Sequence, residues 1–454
     1  MNGHQRIVAA AGGLLIGITS SVFAQTPTTS GDLQAELAVM KARLAELEAR
    51  QNDTWLNQRR TEEVKALIHD VLDDANTRAS LLASGAVAGH DGKHFFLASQ
   101  DGGFVLNVSG QVQVRYIYNS RESNAAPALG FDEEEFGFQL RRAKLLFKGH
   151  VGTSERFIYA VGLQTDRDDE TIELDKAYFG YRVTDTVIVY GGEDKAPFLR
   201  EELVSSSRQL TVERSLVNET FTAGRVQGVW ATIEVDDHTK AAVAFTDGIN
   251  SGEAGGTKDF HNDVVDFAFT ARADMRLAGE WEQMKDFTAW SGQQQAVFVG
   301  AAVHYEIGET GDSQGAPFVR VYDEFLSWTV DGLLKSNGVS LFASLTGTHF
   351  NAIRGVDDLN RYGVVVQGAF MLIPDKLEPF LRWEWIDPDT MHQVNLVTLG
   401  ANYYLNKHNA KFTADLVWAV NALNDFNSSG LGLLPDNLGE DDQVAVRAQF
   451  QLLF

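Results

Sequence analysis

The segment Gln443–Phe454 reads Q-V-A-V-R-A-Q-F-Q-L-L-F. In an extended chain successive side chains point to opposite faces, so Val444, Val446, Ala448, Phe450, Leu452 and Phe454 share one face. Gln443, Arg447, Gln449 and Gln451 share the other, and only Ala445 and Leu453 blur the alternation. A solvated sheet produces this pattern, and so does the closing strand of a membrane barrel, whose lipid face alternates with a wet lumen.

The same plan recurs through the preceding chain. Phe104, Leu106, Val108, Val112, Val114 and Tyr116 oppose Asn107, Ser109, Gln111, Gln113 and Arg115. Ala143, Leu145 and Phe147 oppose Arg142, Lys144 and Lys148; Phe157, Tyr159 and Val161 oppose Arg156 and Gln164; Leu381, Trp383 and Trp385 oppose Arg382 and Glu384. Roughly sixteen or seventeen such runs fall between Phe95 and Phe454, and bacterial barrels have even strand numbers. The apolar face is rich in Phe, Trp and Tyr and the opposite face carries charge on strand after strand, which favours a barrel over a sandwich. The expected fold is all-β: a transmembrane antiparallel β-barrel of about 16 strands, preceded by an N-terminal α-helical coiled coil.

Four segments are expected. Residues 1–24 read as a secretory signal peptide, with Arg6, an apolar run from Ile7 to Ile18 and the small-residue site Val22-Phe23-Ala24. Residues 31–80 carry a heptad seam, Leu33, Leu37, Met40, Leu44 and Leu47, read as a self-associating periplasmic coiled coil. Residues 81–92 are small-residue linker, and residues 93–454 the outer-membrane barrel. The absence of cysteine removes disulfides and thiolate sites. A formal net charge of -24 argues against binding nucleic acid, which needs basic patches.

Two segments carry a family resemblance. F-Q-L-R-R-A-K-L-L-F-K-G runs from Phe138 to Gly149; V-Y-G-G-E-D-K-A-P-F-L-R-E-E-L-V-S-S-S-R-Q-L-T-V-E-R-S-L runs from Val189 to Leu216, with Arg225 beyond it. Together they resemble the phosphate-selective porin O and P family at Arg141, Arg142, Gly192, Lys195, Pro197, Phe198, Glu201, Ser205, Ser206, Glu213, Arg214, Ser215 and Arg225. The resemblance implies a sixteen-stranded outer-membrane porin, a homotrimer in outer-membrane lipid, with a loop folded into the lumen. Lys195, Pro197, Phe198, Glu201, Arg208, Glu213 and Arg214 are the candidates for that constriction loop. Pro197 supports this on its own terms, because it lacks the N–H a central strand needs and marks where the chain leaves the ladder.

Selectivity in a pore follows the charges that line it. By strand phase Arg115, Arg142, Lys144, Lys148, Arg156, Arg320, Arg382 and Arg447 point inward, an array suited to passing anions. Glu280, Glu282, Glu306, Glu384 and Asp415 point inward as well. The expected function is passive diffusion of small hydrophilic solutes, anions such as phosphate among them. The alternative is a general or cation-preferring porin that also tethers the outer membrane to the cell wall through its coiled coil.

No enzyme, cofactor or metal is expected. Gly311-Asp312-Ser313-Gln314-Gly315 spells G-x-S-x-G, but a strand rather than a helix comes after it, which reads as a hairpin loop. His90 and His94 flank Gly92, where a helix is disfavoured, and read as a solvated pair.

Overall fold

The computed structural model describes residues 85–92, 94–121, 134–165, 171–249, 265–310, 322–352, 357–389, 392–421, 430–434 and 442–454, together with Lys41, Leu423, Phe426 and Ser428. The signal peptide, the coiled coil of residues 31–80 apart from Lys41, and the G-x-S-x-G segment lie outside the described residues.

Among these residues the chain is almost wholly β. A hairpin of β1 (Ala86–His90) and β2 (Phe95–Ser99) precedes β3 (Phe104–Ser120), β4 (Glu134–Val151), β5 (Phe157–Thr165), β6 (Ile172–Arg182), β7 (Val187–Lys195) and β8 (Arg225–Glu234). Next come β9 (Thr239–Thr246), β10 (Val265–Ala278), β11 (Ala296–Thr310), β12 (Tyr322–Ser336), β13 (Val339–Ala352) and β14 (Leu359–Phe370). The last four are β15 (Leu377–Asp387), β16 (Val394–Asn406), β17 (Ala410–Ala419) and β18 (Gln443–Leu453). From β3 onward each strand pairs antiparallel with the next, and β18 returns to β3 through Val444↔Ser120 to Leu453↔Gln111. The sixteen strands β3–β18 are therefore a closed barrel, which leaves no open edge for aggregation.

Two expectations need correction at the N-terminal boundary. Ala86–His90 is strand rather than linker, paired with β2 from Ala86↔Ser99 to His90↔Phe95. The barrel wall starts at Phe104 rather than at residue 93, because β2 pairs with β3 only over Phe95↔Val108 to Ala98↔Val105, below the point where β18 ends. Small residues at 84–89 suggest a linker, yet Val87 and the Phe95-Phe96 pair suffice for a short ladder.

The burial pattern is inverted relative to a soluble sheet. Phe138 (82 % exposed), Phe179, Val229, Phe245, Leu381 and Trp383 stand on the outer face, whereas Arg115, Arg382, Arg447, Lys411 and Glu384 are buried on the inner one. Only a hydrocarbon solvent makes such an outer face favourable, since lipid covers it at no cost in hydration. No helix among the described residues is long and apolar enough to cross a membrane; the strands are the crossing elements.

The two rims differ. At the rim where β3 begins and β18 ends, most connections span two to six residues, as at 337–338 and 371–376. The exception is residues 279–295, which turn inward. The opposite rim carries the longer connections, 121–133, 196–224, 247–264 and 420–442.

Two bulges set what faces the lumen. Gln113 opposes Arg142 and Val114 opposes Leu140, so Arg141 is an extra residue in β4; Gly162 opposes Lys176 and Leu163 opposes Leu174, so Asp175 is an extra residue in β6. An extra residue re-aims its neighbours and shifts the alternation by one. Between β7 and β8, Gly192 (φ 132) sits opposite Gly228 (φ 157), and a side chain at Gly192 would collide with the Ala177 carbonyl. This pair also resets phase, because Gly191 and Val229 face outward with Phe179 while Glu193 and Gln227 are hydrogen-bonded inside.

Candidate functional site

The connection from β7 to β8, residues 196–224, folds into the barrel. Its two short helices, α1 (Arg200–Leu203) and α2 (Leu216–Phe221), are each bounded by extended residues. Ser205 caps a turn at Ser206–Arg208, and Ser215 caps α2 by accepting from the Asn218 N–H at 2.8 Å, the local reason for serine at both positions. Glu201 accepts from the Ser215 N–H (2.7 Å) and hydroxyl, which joins α1 to α2. The apolar side of the loop, Phe198, Leu210, Leu216, Val217 and Phe221, is buried. Val217 and Phe221 occupy the space over Gly363 in β14.

Polar contacts fix the loop to most of the far wall. The Gln113 and Gln451 amides donate to the Ser206 and Ser207 carbonyls, Lys411 to the Gln209 carbonyl at 2.8 Å and Asn402 to the Leu210 carbonyl at 2.9 Å. Asp415 and Glu384 accept from the Val212 and Leu216 N–H groups. On the other side Arg200 pairs with Asp274, and Arg272 donates to the Phe198 carbonyl. Ordered donors of this kind satisfy backbone groups that an irregular segment would otherwise leave unpaired at membrane depth.

The centre of the arrangement is Glu213. Arg115 Nη1 lies 3.1 Å and Arg141 Nε 2.6 Å from its Oε1, and Arg142 binds both carboxylate oxygens at 2.9 and 2.8 Å. Consecutive strand residues normally face opposite ways; the bulge is what turns both Arg141 and Arg142 inward. Burial alone would raise the Glu213 carboxyl, but the Arg141, Arg142 and Arg115 guanidiniums outweigh it and hold the carboxyl well below its ordinary 4.5. A second node forms at the other bulge, where Asp175 Oδ1 accepts from Lys144 (2.5 Å) and from Arg225 (2.7 Å).

The inward-turned residues 279–295 approach the loop from the opposite rim. Phe287, Thr288 and Ala289 have no exposed surface, and the Phe287 N–H points at the Arg208 carbonyl. Loop and turn together cover the lumen side of β14–β18 and β3. The inner face of β5–β9 is left partly exposed, and beside it a recess is lined by Ile188, Thr232, Glu234, Lys240 and Met284.

The predicted residues fall into distinct places. Arg115, Arg142, Arg382 and Arg447 are inside the barrel but buried, and each is bonded to a carboxylate or to the loop. Arg382 donates to Thr211 Oγ1 (2.7 Å) and the Glu213 carbonyl, and Arg447 grips Asp415 with two bonds of 2.7 and 2.8 Å. Lys144 faces the partly open side, and Lys148 is half-buried on β4. Arg156 is placed off the wall, exposed in the turn before β5, since β4 ends at Val151 and the turn interrupts the assumed phase. Glu280 and Glu282 also sit in a rim turn, because β10 ends at Ala278. Arg320 lies outside the described residues. Of the loop candidates, Pro197, Phe198, Glu201 and Glu213 are buried; Lys195 pairs with Glu202 Oε1 at 2.9 Å, Arg214 with Glu202 Oε2 at 3.3 Å, and Arg208 is half-buried. Strand phase misses Arg141 and Asp175 as inward groups. The adjacent pair Arg141-Arg142 in an otherwise alternating strand is the available signal.

Comparison with known proteins gives a match to the family described as phosphate-selective porin O and P over residues 123–454. An uncharacterized protein of Aquifex aeolicus (strain VF5) is 24% identical over 338 residues, 69% of this chain and 76% of the relative. Among solved structures, an anion-selective porin from Comamonas acidovorans aligns with a TM-score of 0.52 at 11% identity, over 77% of this chain and 99% of that one. A loop L8 deletion mutant of OmpT, an outer membrane protein of Vibrio cholerae, aligns with a TM-score of 0.51 at 10% identity, over 78% and 100%. At these identities the two structures share the barrel fold with this chain and nothing finer.

Proposed function

Because the chain belongs to the phosphate-selective porin O and P family and is thereby an outer-membrane channel for passive diffusion, we propose that it favours small hydrophilic anions, phosphate among them. One observation carries this reading. The two bulge nodes bring five cations, Arg115, Arg141, Arg142, Lys144 and Arg225, to two carboxylates, Glu213 and Asp175. Each carboxylate neutralises one unit, and Asp194, 3.7 Å from Arg225, is matched by Lys176 at 2.6 Å, so a cationic surplus remains beside the inward loop. Low-dielectric walls focus such a field onto the permeating ion.

The overall acidity of the chain does not oppose this, since charges beyond a Debye length of roughly 8 Å are screened in physiological salt. Glu306, Glu384 and Asp415 are inward, but Glu384 and Asp415 are spent on backbone N–H groups and on Arg382 and Arg447.

On the same reading the working assembly is a homotrimer in outer-membrane lipid, with the short-turn rim in the periplasm and residues 31–80 as a coiled coil reaching the cell wall. Deleting residues 31–84 should leave conductance intact and weaken the envelope. Selectivity is tested by reversal potentials in planar bilayers under a potassium chloride gradient. Chloride preference is expected, reduced in Lys144→Gln and Arg225→Gln. Potassium preference in the unaltered channel overturns the anion reading and leaves a general or cation-preferring pore.

A further inference from the structure

The uncovered side of the lumen carries three aromatic rings with no place in ion selection. Tyr190 and Trp230 are stacked, with ring centroids 5.3 Å apart and planes at 8°; Tyr178 stands edge-on to both, at 5.6 and 5.7 Å. They come from neighbouring strands, Tyr178 on β6, Tyr190 on β7 and Trp230 on β8, with Tyr190 directly opposite Trp230. Their chain neighbours Phe179, Val189 and Val229 are exposed on the lipid face, which puts the three rings on the lumen face.

The wall is shaped around them. The residues paired with the ring bearers on this face are small: Ala160 opposite Tyr178, Gly180 opposite Tyr190 and Ala244 opposite Trp230. A side chain at Gly180 would meet the Tyr190 ring. The rings thus have room to lie along the wall, half-buried, and the recess at Ile188 and Thr232 begins two residues further along β7 and β8.

Each ring also carries a polar tip, and among the described residues no side-chain or backbone partner is engaged by the Tyr178 hydroxyl, the Tyr190 hydroxyl or the Trp230 N–H. Buried tips of this kind ordinarily find a partner, and those at a wet surface are kept for solvent or ligand.

We propose that Tyr178, Tyr190 and Trp230 make a low-affinity binding wall for pyranose sugars on their way through the lumen. A pyranose offers a flat C–H face to an aromatic ring and hydroxyl groups around its edge. The stacked pair supplies the face, and the two hydroxyls and the indole N–H supply edge partners. The binding is independent of ion preference, because none of the three residues is charged.

The test is current block in planar bilayers by glucose and maltose, with the acyclic polyol sorbitol as control. Saturable block by the sugars, absent with sorbitol, is expected. Trp230→Ala and Tyr190→Ala should weaken it by about tenfold, the loss expected of one aromatic contact, while the reversal potential stays unchanged. Trp230→Leu, which keeps an apolar side chain in the wall, guards against a folding defect and should lose block while conducting normally. No saturable block, equal block by sorbitol, or block that survives Trp230→Leu overturns the proposal. A change in ion preference alone would instead bear on the anion reading.

Discussion

Gly110 and Phe454 close the barrel. The Gly110 N–H donates to the Phe454 carbonyl at 2.6 Å, the Phe454 N–H donates back to the Gly110 carbonyl at 3.1 Å, and the Phe454 ring fills the space where Gly110 lacks a side chain. Phe454 shares the half-exposed outer face with Phe450 and Leu452. Phe454 is therefore both a lipid-facing aromatic and part of the β18–β3 seam.

Gly110→Val should disrupt that seam. A branched side chain must displace the ring or break the paired hydrogen bonds, at roughly 1–3 kcal/mol for overpacking. Phe454→Ala keeps the backbone bonds and should cost less in the folded barrel. The check is the fraction of compact, heat-modifiable protein in isolated outer membranes. Gly110→Val should lower it, on refolding in detergent as well as in cells, and by more than Phe454→Ala does.

Glu213→Gln should loosen the inward loop. The substitution leaves Arg115, Arg141 and Arg142 without their common counter-charge, and breaking a buried ion pair by removing one partner costs about 3–5 kcal/mol. Increased open-channel noise and faster proteolysis within residues 200–215 would report it. The pH dependence has a definite sign. A carboxyl whose folded value is depressed contributes stability that is present above its unfolded value and lost as pH falls through the folded one. Glu213 is held well below 4.5, so the loop should stay fixed at neutral and mildly acid pH and loosen only well below 4.5.

The strand plan is legible in the sequence because period-two alternation is a local property, repeated until its count can be estimated. Pro197 likewise marks the departure from β7. What alternation hides is a change of phase. One extra residue at Arg141, one at Asp175 and the glycine pair Gly192–Gly228 each reverse the faces of the residues beyond them. Strand phase therefore takes Arg142 inward and leaves Arg141 outside, although both reach Glu213. It also places Arg156, Glu280 and Glu282 on the wall, since a turn carries no alternation to betray where the ladder stops. The loop partners of Arg382, Thr211 and Glu213, cannot be read at all, because they lie on a loop whose path is set by contacts distant in sequence, whereas Arg447 meets Asp415 directly across the β17–β18 pair.

The Arg141 bulge gives a sharper contrast between two deletions. Deleting Arg141 leaves Leu140 directly before Arg142, so Val114↔Leu140 and Gln113↔Arg142 become neighbouring pairs of a regular ladder and Phe136, Phe138 and Leu140 stay on the lipid face. Deleting Gln139 instead shifts residues 134–138 by one against β3 and turns Phe136 and Phe138 from lipid into the lumen. The Arg141 deletion and Arg141→Ala each lose one of three guanidiniums at Glu213 and should assemble with a noisier channel, whereas the Gln139 deletion should fail to assemble. Outer-membrane yield of the variants decides it; equal loss in both deletions would mean that Arg141 is not a dispensable extra residue of the ladder.

His408 offers a test at the short-turn rim. It sits in the turn between β16 and β17, buried, with Asp286 Oδ2 at 3.4 Å from its Nε2 and with Lys411 and Arg208 near enough to repel a charge. Burial pushes the imidazole down to about 4, against a partial pull upward from Asp286, so it is neutral at pH 7. An unfolded histidine takes up its proton near 6.5 and the folded one does not until about 4, so between these values the unfolded chain binds more protons. Stability from this residue is then complete above 6.5, falls as pH drops from 6.5 to 4, and falls no further below. The shift corresponds to an upper bound of about 3 kcal/mol. Nearby carboxylates lose stability in acid as well, so the measurement is a difference: urea midpoints of wild type and His408→Gln between pH 7 and pH 4. The gap between the two curves should close or reverse toward pH 4, and a constant gap across that range would show that His408 does not titrate as its burial demands.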